Sequence, residues 1–569
     1  MKSSGRPRRA VLAPGIRVGE PYTRADLRRD LVAGVLLSTL LVPAGMGYAE
    51  VAGLPAISGL HATVVALVAY AVVGPSRILV IGPDSSLAPI IGAAVAPIAA
   101  GPEGRPLALA GLLALLVGTT LVGLGLLRLG WITALVSKPV RVGYLNGVAL
   151  VVIAGQLPKL LGFSVDGDGL VDDIRGLARG VLDGAVDRPT AVLGAGALVT
   201  IVGLRRLSPR SPGMLLAVAG SAVAAWSLDL DIAVIGALPR GLPAPALSDL
   251  QLGDVASLAP AAAGIALVSL ADTAALTRSL TRGRVDENRE MGALGLTNVV
   301  SGLFGGFPVS GSASRTPAAR ESGARTQIAS LAGAATVTIL LVVAPDLTRY
   351  VPAAALAAVV IAAVLKLADV TGATALWQMN RSEFGLSFAA FVGVALVGVL
   401  EGIAISAALS LAAFVAQAWR PHMARLVRVE GRKGYHDAAR HPTGERIPGL
   451  LILRFDAPLF FANGDAFAQF VWQSIDDEPG VRWVVIAAEP VTDVDTTAAE
   501  VLVDLDDELA ARGIRLAFAG LKGPVKDRLL RYGLDTRFSD RYFPTLGTAV
   551  NAYLDHTGTE YRDWTDREP

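Results

Sequence analysis

The chain has 569 residues, 53% of them hydrophobic and only 17% charged, with a mean hydropathy of +0.54 and a formal net charge of +1. An apolar bulk drawn from Ala, Val, Leu, Ile and Gly, with aromatics at just 6%, is the profile of a polytopic membrane protein and leaves no expectation of a nucleic-acid partner. The absence of cysteine removes disulfides, thiolate catalysis and Cys-based metal sites.

At the N-terminus Lys2, Arg6, Arg8, Arg9, Arg17, Arg24, Arg28 and Arg29 precede the first apolar run, with no cleavage site of the small-residue type. This segment is therefore expected to be retained and, by the positive-inside rule, cytoplasmic. A helix crossing the hydrocarbon needs ~20 predominantly apolar residues. Windows of that character recur at Leu31–Ala49, Ile57–Val73, Leu107–Leu127, Val148–Leu161, Ala191–Leu204, Met214–Trp226, Ala261–Leu280, Leu331–Ala344, Ala353–Leu367, Leu386–Val399 and Ile403–Ala418. After the last of them Arg420, Arg425, Arg428, Arg432 and Lys433 form a second basic cluster, which places the C-terminal side in the cytoplasm too and implies an even number of spans.

Four places break the apolar pattern. In the first window, "LVPAGMGYAE", Pro43 interrupts the helix, and Gly45 and Gly47 thin it so that Tyr48 can face a cavity; simple packing is the other reading of Tyr48. His61 reads as a packed polar residue and not as a ligand. In "RILVIGPDSSLAPIIGAAVAP" a β-branched stretch and Gly82-Pro83 lead to Asp84, Ser85 and Ser86 at the head of an apolar segment. In "ALVSLADTAALTRSL" Asp272 is the one acid of the run, and a carboxylate there must be paired, hydrated or protonated. It can bind a co-transported cation, carry a proton or pair with Arg315. In "LFGGFPVSGSASRTPAARES" Gly305, Gly306 and Pro308 stop one helix, and Ser312, Ala313, Ser314 and Arg315 open another.

The second and fourth interruptions fall in corresponding places of the two halves, which is the sequence pointer to an inverted-repeat transporter with broken helices. Two half-helix N-termini facing one another leave free N–H donors and about half a positive charge each. The hydroxyls of Ser85, Ser86, Ser312 and Ser314 can cap those ends or donate to a substrate. Arg315 adds a permanent charge suited to bidentate contact with an oxyanion. The plain alternative is a pair of interfacial loops with a snorkelling arginine.

The charge balance shifts along the chain: residues 1–434 carry 36 Lys/Arg against 26 Asp/Glu, and residues 435–569 carry 14 against 23. From about Gly449 the apolar period changes as well. "LLILRF", "RWVVIAAEP" and "IRLAFAG" read as buried strands, and "TTAAEVLVDLDDELAARG", "KGPVKDRLLRYGL" and "FPTLGTAVNAYLDH" as amphipathic helices, the first closed by Gly513. Strands alternating with helices make a small α/β domain. Asp495 and Thr496 of "DVDTTAAE" lie on a turn entering a helix, where they either cap it or form a phosphorylatable turn.

That tail resembles a STAS domain, in which the hydroxyl after the matching Asp is a phosphorylation site of the anti-sigma-factor antagonists; the position is Thr496 here. The whole chain resembles the SulP family of anion transporters through "LVPAGMGYAEVAGLP", "GPSRILVIGPDSS", "VDENREMGALGLTNVVSGLFGG", "FPVSGSASRTP" and the tail. The resemblance implies fourteen transmembrane segments in two inverted repeats of seven, with uracil-permease-like core and gate domains, and a homodimer as the usual assembly. It places the substrate anion between the third segment, starting at Pro83–Ser86, and the tenth, starting at Ser312–Arg315. Tyr48 would be the family's aromatic on segment one, and Asp272 its acidic position on segment eight, linked to Na⁺ or H⁺ coupling. Where the family commonly has Gln after the proline of segment one, this chain has Ala44, and Asp272 is one methylene shorter than the frequent Glu.

The expected organisation is a cytoplasmic segment over 1–29, a transmembrane transporter domain over 30–420, a linker over 421–446, a STAS domain over 447–556 and a tail over 557–569. The expected function is secondary active transport of a small anion, with sulfate first and bicarbonate or a dicarboxylate behind it, in the inner or plasma membrane. No cofactor is expected beyond a coupling Na⁺ or H⁺, and a cytoplasmic regulator could act at the STAS domain. The alternatives are an uncoupled anion channel or exchanger, a voltage-responsive anion sensor, and a nucleobase permease of the same fold, against which Arg315 and the STAS tail argue. The membrane region has no Cys, no His pair and no Ser-His-Asp spacing that would suggest an enzyme.

Overall fold

The computed structural model describes residues 22–101, 104–130, 137–165, 169–208, 212–239, 241–242, 244–245, 250–280, 286–561 and 563. The basic residues Lys2 to Arg17 and the chain after Asp563 lie outside the described residues. The chain divides into two compact units, residues 1–410 and 411–569.

In the first unit one order of elements occurs twice. Helices α1 (Arg24–Val51) and α2 (Ala56–Val73) are followed by a two-residue strand β1 (Ile81–Gly82), a short helix α3 (Ala88–Val95) and a long helix α4 (Arg105–Leu126). After α5 (Lys138–Leu161), α6 (Leu170–Leu182), α7 (Arg188–Leu207) and α8 (Gly213–Ser227), the order returns. Helices α9 (Leu252–Leu280) and α10 (Glu287–Leu303) lead to strand β2 (Ser310–Gly311), short helix α11 (Arg315–Glu321) and helix α12 (Ile328–Val343). Helices α13 (Ala353–Val364), α14 (Val370–Met379), α15 (Arg381–Val392) and α16 (Val399–Trp419) complete the series.

The two halves are interlocked. Helix α4 packs on α9 and α10, and its counterpart α12 packs on α1 and α2, so neither half covers its own faces alone. A second group forms around α5, which packs on α13 and α15, and α7, which packs on α8 and α13; α1 touches both groups through α12 and α13. These are the expected core and gate. By length and composition six of the described helices can cross a membrane, namely α1, α2, α4, α5, α7 and α9, and further apolar helices are shorter. The expected number of fourteen is not reached on that criterion, because half-helices such as α3 and α11 are too short to span by themselves.

Lipid supplies no hydrophobic drive between apolar helices, so their association rests on close packing at small residues. Helices α1 and α12 meet at Gly34, where an added Cβ would run into Ala329 and Ala332. Asp30 fastens the same pair near the helix starts: fully buried, it accepts from Tyr22 Oη (2.8 Å), the Arg325 amide (2.6 Å) and Thr326 Oγ1 (2.5 Å). Thr23 and Asp26 close the start of α1 with a capping box.

The second unit is a six-stranded mixed sheet in the order β4-β3-β5-β6-β7-β8, formed by β3 (Met423–Arg428), β4 (Tyr435–Asp437), β5 (Leu450–Phe455), β6 (Trp483–Ala487), β7 (Arg515–Ala519) and β8 (Tyr542–Phe543). Strands β5 to β8 run parallel, and β3 is antiparallel to both of its neighbours. Helices α17 (Gly464–Asp476), α18 (Thr496–Ala511) and α19 (Gly523–Arg531) pack on one face, and α21 (Leu546–Thr557), after the single-turn α20 (Asp535–Phe538), on the other. The stretch 421–446, expected as a linker, is thus part of the sheet. Its apolar alternation is only six residues long and is interspersed with arginines, which made it read as a topology signal. Arg428 of β3 also holds Asp563, in the expected tail, at 2.6 Å. Asp495 caps α18 by accepting from the Ala498 amide at 2.8 Å, and Thr496 is exposed as the first helical residue.

Replacing Gly34 by Val should overpack the α1–α12 contact at a cost of about 1–3 kcal/mol. Thermal unfolding in detergent should show a lowered midpoint, whereas Gly220→Ala, at a helical glycine with open space around its Cβ, should leave it unchanged.

Candidate functional site

The two broken segments meet. Strands β1 and β2 pair antiparallel, with Ile81 opposite Gly311 and Gly82 opposite Ser310, so the two chain runs enter from opposite directions before turning into α3 and α11. Only two residues pair on each side, which leaves most of the extended backbone to be satisfied in another way. Side chains from the surrounding helices do this. Asn298 of α10 donates through Nδ2 to the Val309 carbonyl and accepts the Val309 amide, both within 3.0 Å. Ser301 donates to the Phe307 carbonyl at 2.8 Å, and Thr273 of α9 accepts the Gly311 amide at 3.1 Å. On the other run, Thr316 accepts the Val80 amide at 3.0 Å, and Gln327 donates to the carbonyls of Ser76 and Leu79, each at 2.9 Å.

A cavity of about 1150 Å³ reaches this crossing. Tyr48, Asp84, Ser85, Asp272, Ala313, Ser314 and Arg315 line it, so seven of the predicted site residues converge from four places in the chain. Ala44 lines it as well, leaving an apolar wall where a longer polar side chain would have reached in. Ser86 and Ser312 are buried behind the wall. Ser86 donates to Asp84, and Ser312 Oγ accepts the Arg315 amide at 3.3 Å. The half-helices begin slightly later than expected on one side: α3 starts at Ala88 after a turn over 85–87, and α11 starts at Arg315. The amides of Ser85, Ala313 and Ser314 donate no hydrogen bond among the described residues.

Arg315 is 2% exposed. Its Nη2 donates to the Pro83 carbonyl and lies 3.8 Å from Asp84 Oδ2, while Nε and Nη1 have no hydrogen-bond partner among the described residues. A Cβ on residue 82 would approach Nη1 to 3.1 Å, so Gly82 is what lets the guanidinium cross the strand pair. Asp272, one of whose expected roles was to pair with Arg315, is instead contacted by Ser86 Oγ at 3.1 Å and Tyr144 Oη at 3.3 Å; Asp84 is the acid that faces the arginine.

Sequence reading missed the positive wall of the cavity. Lys138 and Arg141 at the start of α5, Arg205 at the end of α7 and Lys366 beyond α13 all line it, and none has a salt bridge among the described residues. Each sits at the end of an apolar window, where a basic residue ordinarily marks topology; no local signal says that they converge. The ends concerned are those that an alternating bundle places on the side from which α1 starts. Glu321 and Asp369 line the cavity too, so these cations share its wall with acids, and the buried guanidinium of Arg315, with two nitrogens unpartnered among the described residues, is the group best suited to take up negative charge.

The profile described as Sulfate permease family matches residues 27–390, and the STAS domain profile matches residues 441–549. A probable sulfate transporter of Mycobacterium tuberculosis (strain H37Rv) is 40% identical over 549 residues, covering 95% of this chain and 98% of that protein. A chloroplastic sulfate transporter of Arabidopsis thaliana is 30% identical over 534 residues, covering 89% of this chain and 77% of its own length. Among solved structures, the murine Solute Carrier 26 family member A9 anion transporter in the inward-facing state superposes with a TM-score of 0.88 at 19% identity, covering 96% of this chain and 94% of that one. The transmembrane domain of a cyanobacterial bicarbonate transporter superposes with a TM-score of 0.59 at 22% identity, covering 68% and 98%. At these identities the two structures speak for the fold.

Asn298→Ala removes the acceptor of the Val309 amide and leaves the Val309 carbonyl with only the longer bond from Ser269 Oγ at 3.4 Å, and a buried group left unsatisfied costs about 1–3 kcal/mol. Its unfolding midpoint in detergent should fall well below that of Thr277→Val, whose hydroxyl bonds only within its own helix.

Proposed function

The chain belongs to the sulfate permease family, and from that membership we propose that it is a secondary active transporter of a small oxyanion, sulfate first and bicarbonate or a dicarboxylate behind it. It is a multi-pass membrane transporter and not an enzyme. The observation that carries the reading is the guanidinium of Arg315, buried at the floor of a polar cavity with Nε and Nη1 unspent. A buried cation in that condition is costly without a counter-charge, and an oxyanion supplies it through charge-assisted bonds.

In this reading Arg315 binds two oxygens of the anion, and the free amides of Ser85, Ala313 and Ser314 donate to the others, Ala313 keeping the backbone approachable. The Ser85 and Ser314 hydroxyls add adaptable donors. Tyr48 shapes the opposite wall, and Ala44 leaves room for an anion with its own water shell. Ser86 and Ser312 brace the two turns from behind. The cations at the mouth draw the anion in and help select against neutral solutes. Transport follows when the strand pair and its two half-helices move as a body past the α5–α7–α13 group, exposing the same site to the other side.

Both termini lie in the cytoplasm in this account, so the cavity opens inward, in an inner or plasma membrane. Asp272 carries the coupling to H⁺ or Na⁺; no other cofactor takes part. The STAS unit regulates transport or supports assembly as a homodimer. Thr496 is its modification point, because a phosphate there would meet the amides at the start of α18.

Uptake into proteoliposomes tests this directly. Arg315→Ala should weaken sulfate binding by roughly tenfold to a hundredfold, the equivalent of about 1.5–3 kcal/mol for charged hydrogen bonds. Ser314→Ala should weaken it less, and unchanged flux and binding in both variants would refute the site. Asp272→Asn should abolish gradient-driven accumulation while sparing exchange, whereas an uncoupled channel or exchanger would be indifferent to it. A chain lacking 435–569 should fold but show altered flux or assembly; normal behaviour on all counts would remove the regulatory role.

A further inference from the structure

The hydrogen atoms around Ser86 do not add up if both neighbouring acids are ionised. Ser86 Oγ lies 2.9 Å from Asp84 Oδ1 and 3.1 Å from Asp272 Oδ2, both hydrogen-bonding distances, yet a hydroxyl has one hydrogen to donate. One hydrogen can serve both contacts only as a weakened three-centre bond, whereas a proton on one of the two acids, donated to the serine oxygen, makes both of them full hydrogen bonds. Two ionised carboxylates, each within about 3 Å of the same serine oxygen, would also repel one another.

The groups around the pair are few. Arg315 of α11 faces Asp84 at 3.8 Å, and Tyr144 of α5 reaches Asp272 at 3.3 Å. Tyr48 of α1 and Arg141 of α5 complete the cavity wall around the two acids, beside Ser85. Of these, only Arg315 and Arg141 bring positive charge, and Arg315 is the group that the anion would engage.

We propose that Asp84 and Asp272, bridged by Ser86, form a carboxyl dyad that holds one shared proton, and that this proton is the coupled ion of transport. The inference rests on the anion site proposed above and adds Asp84 as the second half of the coupling group. The step is a simple protonation: a proton arrives from water in the cavity, which both acids line, and forms an O–H bond on one carboxylate, with nothing else made or broken. An anion seated on Arg315 draws the guanidinium away from Asp84 and brings negative charge beside it, so anion loading favours proton loading. By linkage the proton favours the anion to the same degree. The pair titrates as a unit, and neither residue alone owns the proton.

The test is proton uptake on binding, with the purified full-length protein in detergent and sulfate as the probe, since sulfate has no proton of its own to exchange near neutrality. Binding is followed by calorimetry in buffers of different ionisation enthalpy, and uptake by a pH indicator in weak buffer. At a pH alkaline enough to empty the dyad in the absence of sulfate, wild-type protein should take up about one proton per sulfate bound, the stoichiometry of a dyad that shares one, and the ratio should fall toward zero at lower pH, where the empty dyad already holds its proton. Asp84→Asn and Asp272→Asn should each bring that ratio close to zero, and Ser86→Ala should lower it. Because the readout is protons per bound sulfate, altered affinity or a reduced folded fraction does not disguise the result.

Wild-type binding without proton uptake at any pH across the range overturns the proposal on its own. So does an Asn variant that keeps the wild-type ratio, or binding that requires Na⁺ and moves no proton. Absence of sulfate binding to the wild type would refute the proposed anion site itself, and the dyad with it, and is readily told apart from binding that is not coupled to protons.

Discussion

Backbone that is not helical can stand inside a bilayer only if every exposed N–H and C=O finds a partner within the protein. The crossing of β1 and β2 meets that demand with two paired residues per strand and a ring of side chains: Asn298, Ser301 and Thr273 for one run, Thr316 and Gln327 for the other. The rest of the transporter unit follows from this. The strands can pair only if the halves interlock, with α4 on α9 and α10 and α12 on α1 and α2. The same non-helical backbone leaves donors at Ser85, Ala313 and Ser314 that no group among the described residues takes up.

Arg315 shows how structure and function share that arrangement. Its guanidinium donates to the Pro83 carbonyl and so fastens the α11 run to the β1 run, passing Gly82, where a Cβ would crowd Nη1 at 3.1 Å. Two of its nitrogens remain unpartnered, and Asp84 at 3.8 Å offsets the charge without removing its appetite for an anion. A fully neutralised arginine would make a rigid core and a poor binding site. A bare one would be too costly to bury. The observed compromise suits a ligand that must both bind and leave.

Much of the site was legible because it violates the apolar pattern: Gly82-Pro83 and Gly305-Gly306 break helices, and Asp84, Ser85, Ser314, Arg315 and Asp272 stand out in runs of Ala, Val and Leu. What brings them together was not. Val80 and Thr316 are 236 residues apart, and nothing local to either announces the bond. Asn298 and Gln327 lie in otherwise ordinary stretches, and the cations Lys138, Arg141, Arg205 and Lys366 are indistinguishable in sequence from topology markers. In the second unit the strongly apolar strands β5, β6 and β7 and helices α18, α19 and α21 were readable from period alone. Strands β3 and β4 were not, because their arginines and short length resemble a basic linker, and α17 went unread.

The central claim is that the anion sits between the starts of α3 and α11 on the free side of Arg315. Selenate has the shape and charge of sulfate and scatters X-rays anomalously, so crystals grown with it locate the ion directly. The account predicts a selenium peak within hydrogen-bonding reach of Arg315 Nε or Nη1 and of the amides of Ser85 and Ser314. A peak only among Arg205, Lys366 and Lys138 at the cavity mouth, with the floor of the cavity filled by water, would contradict it.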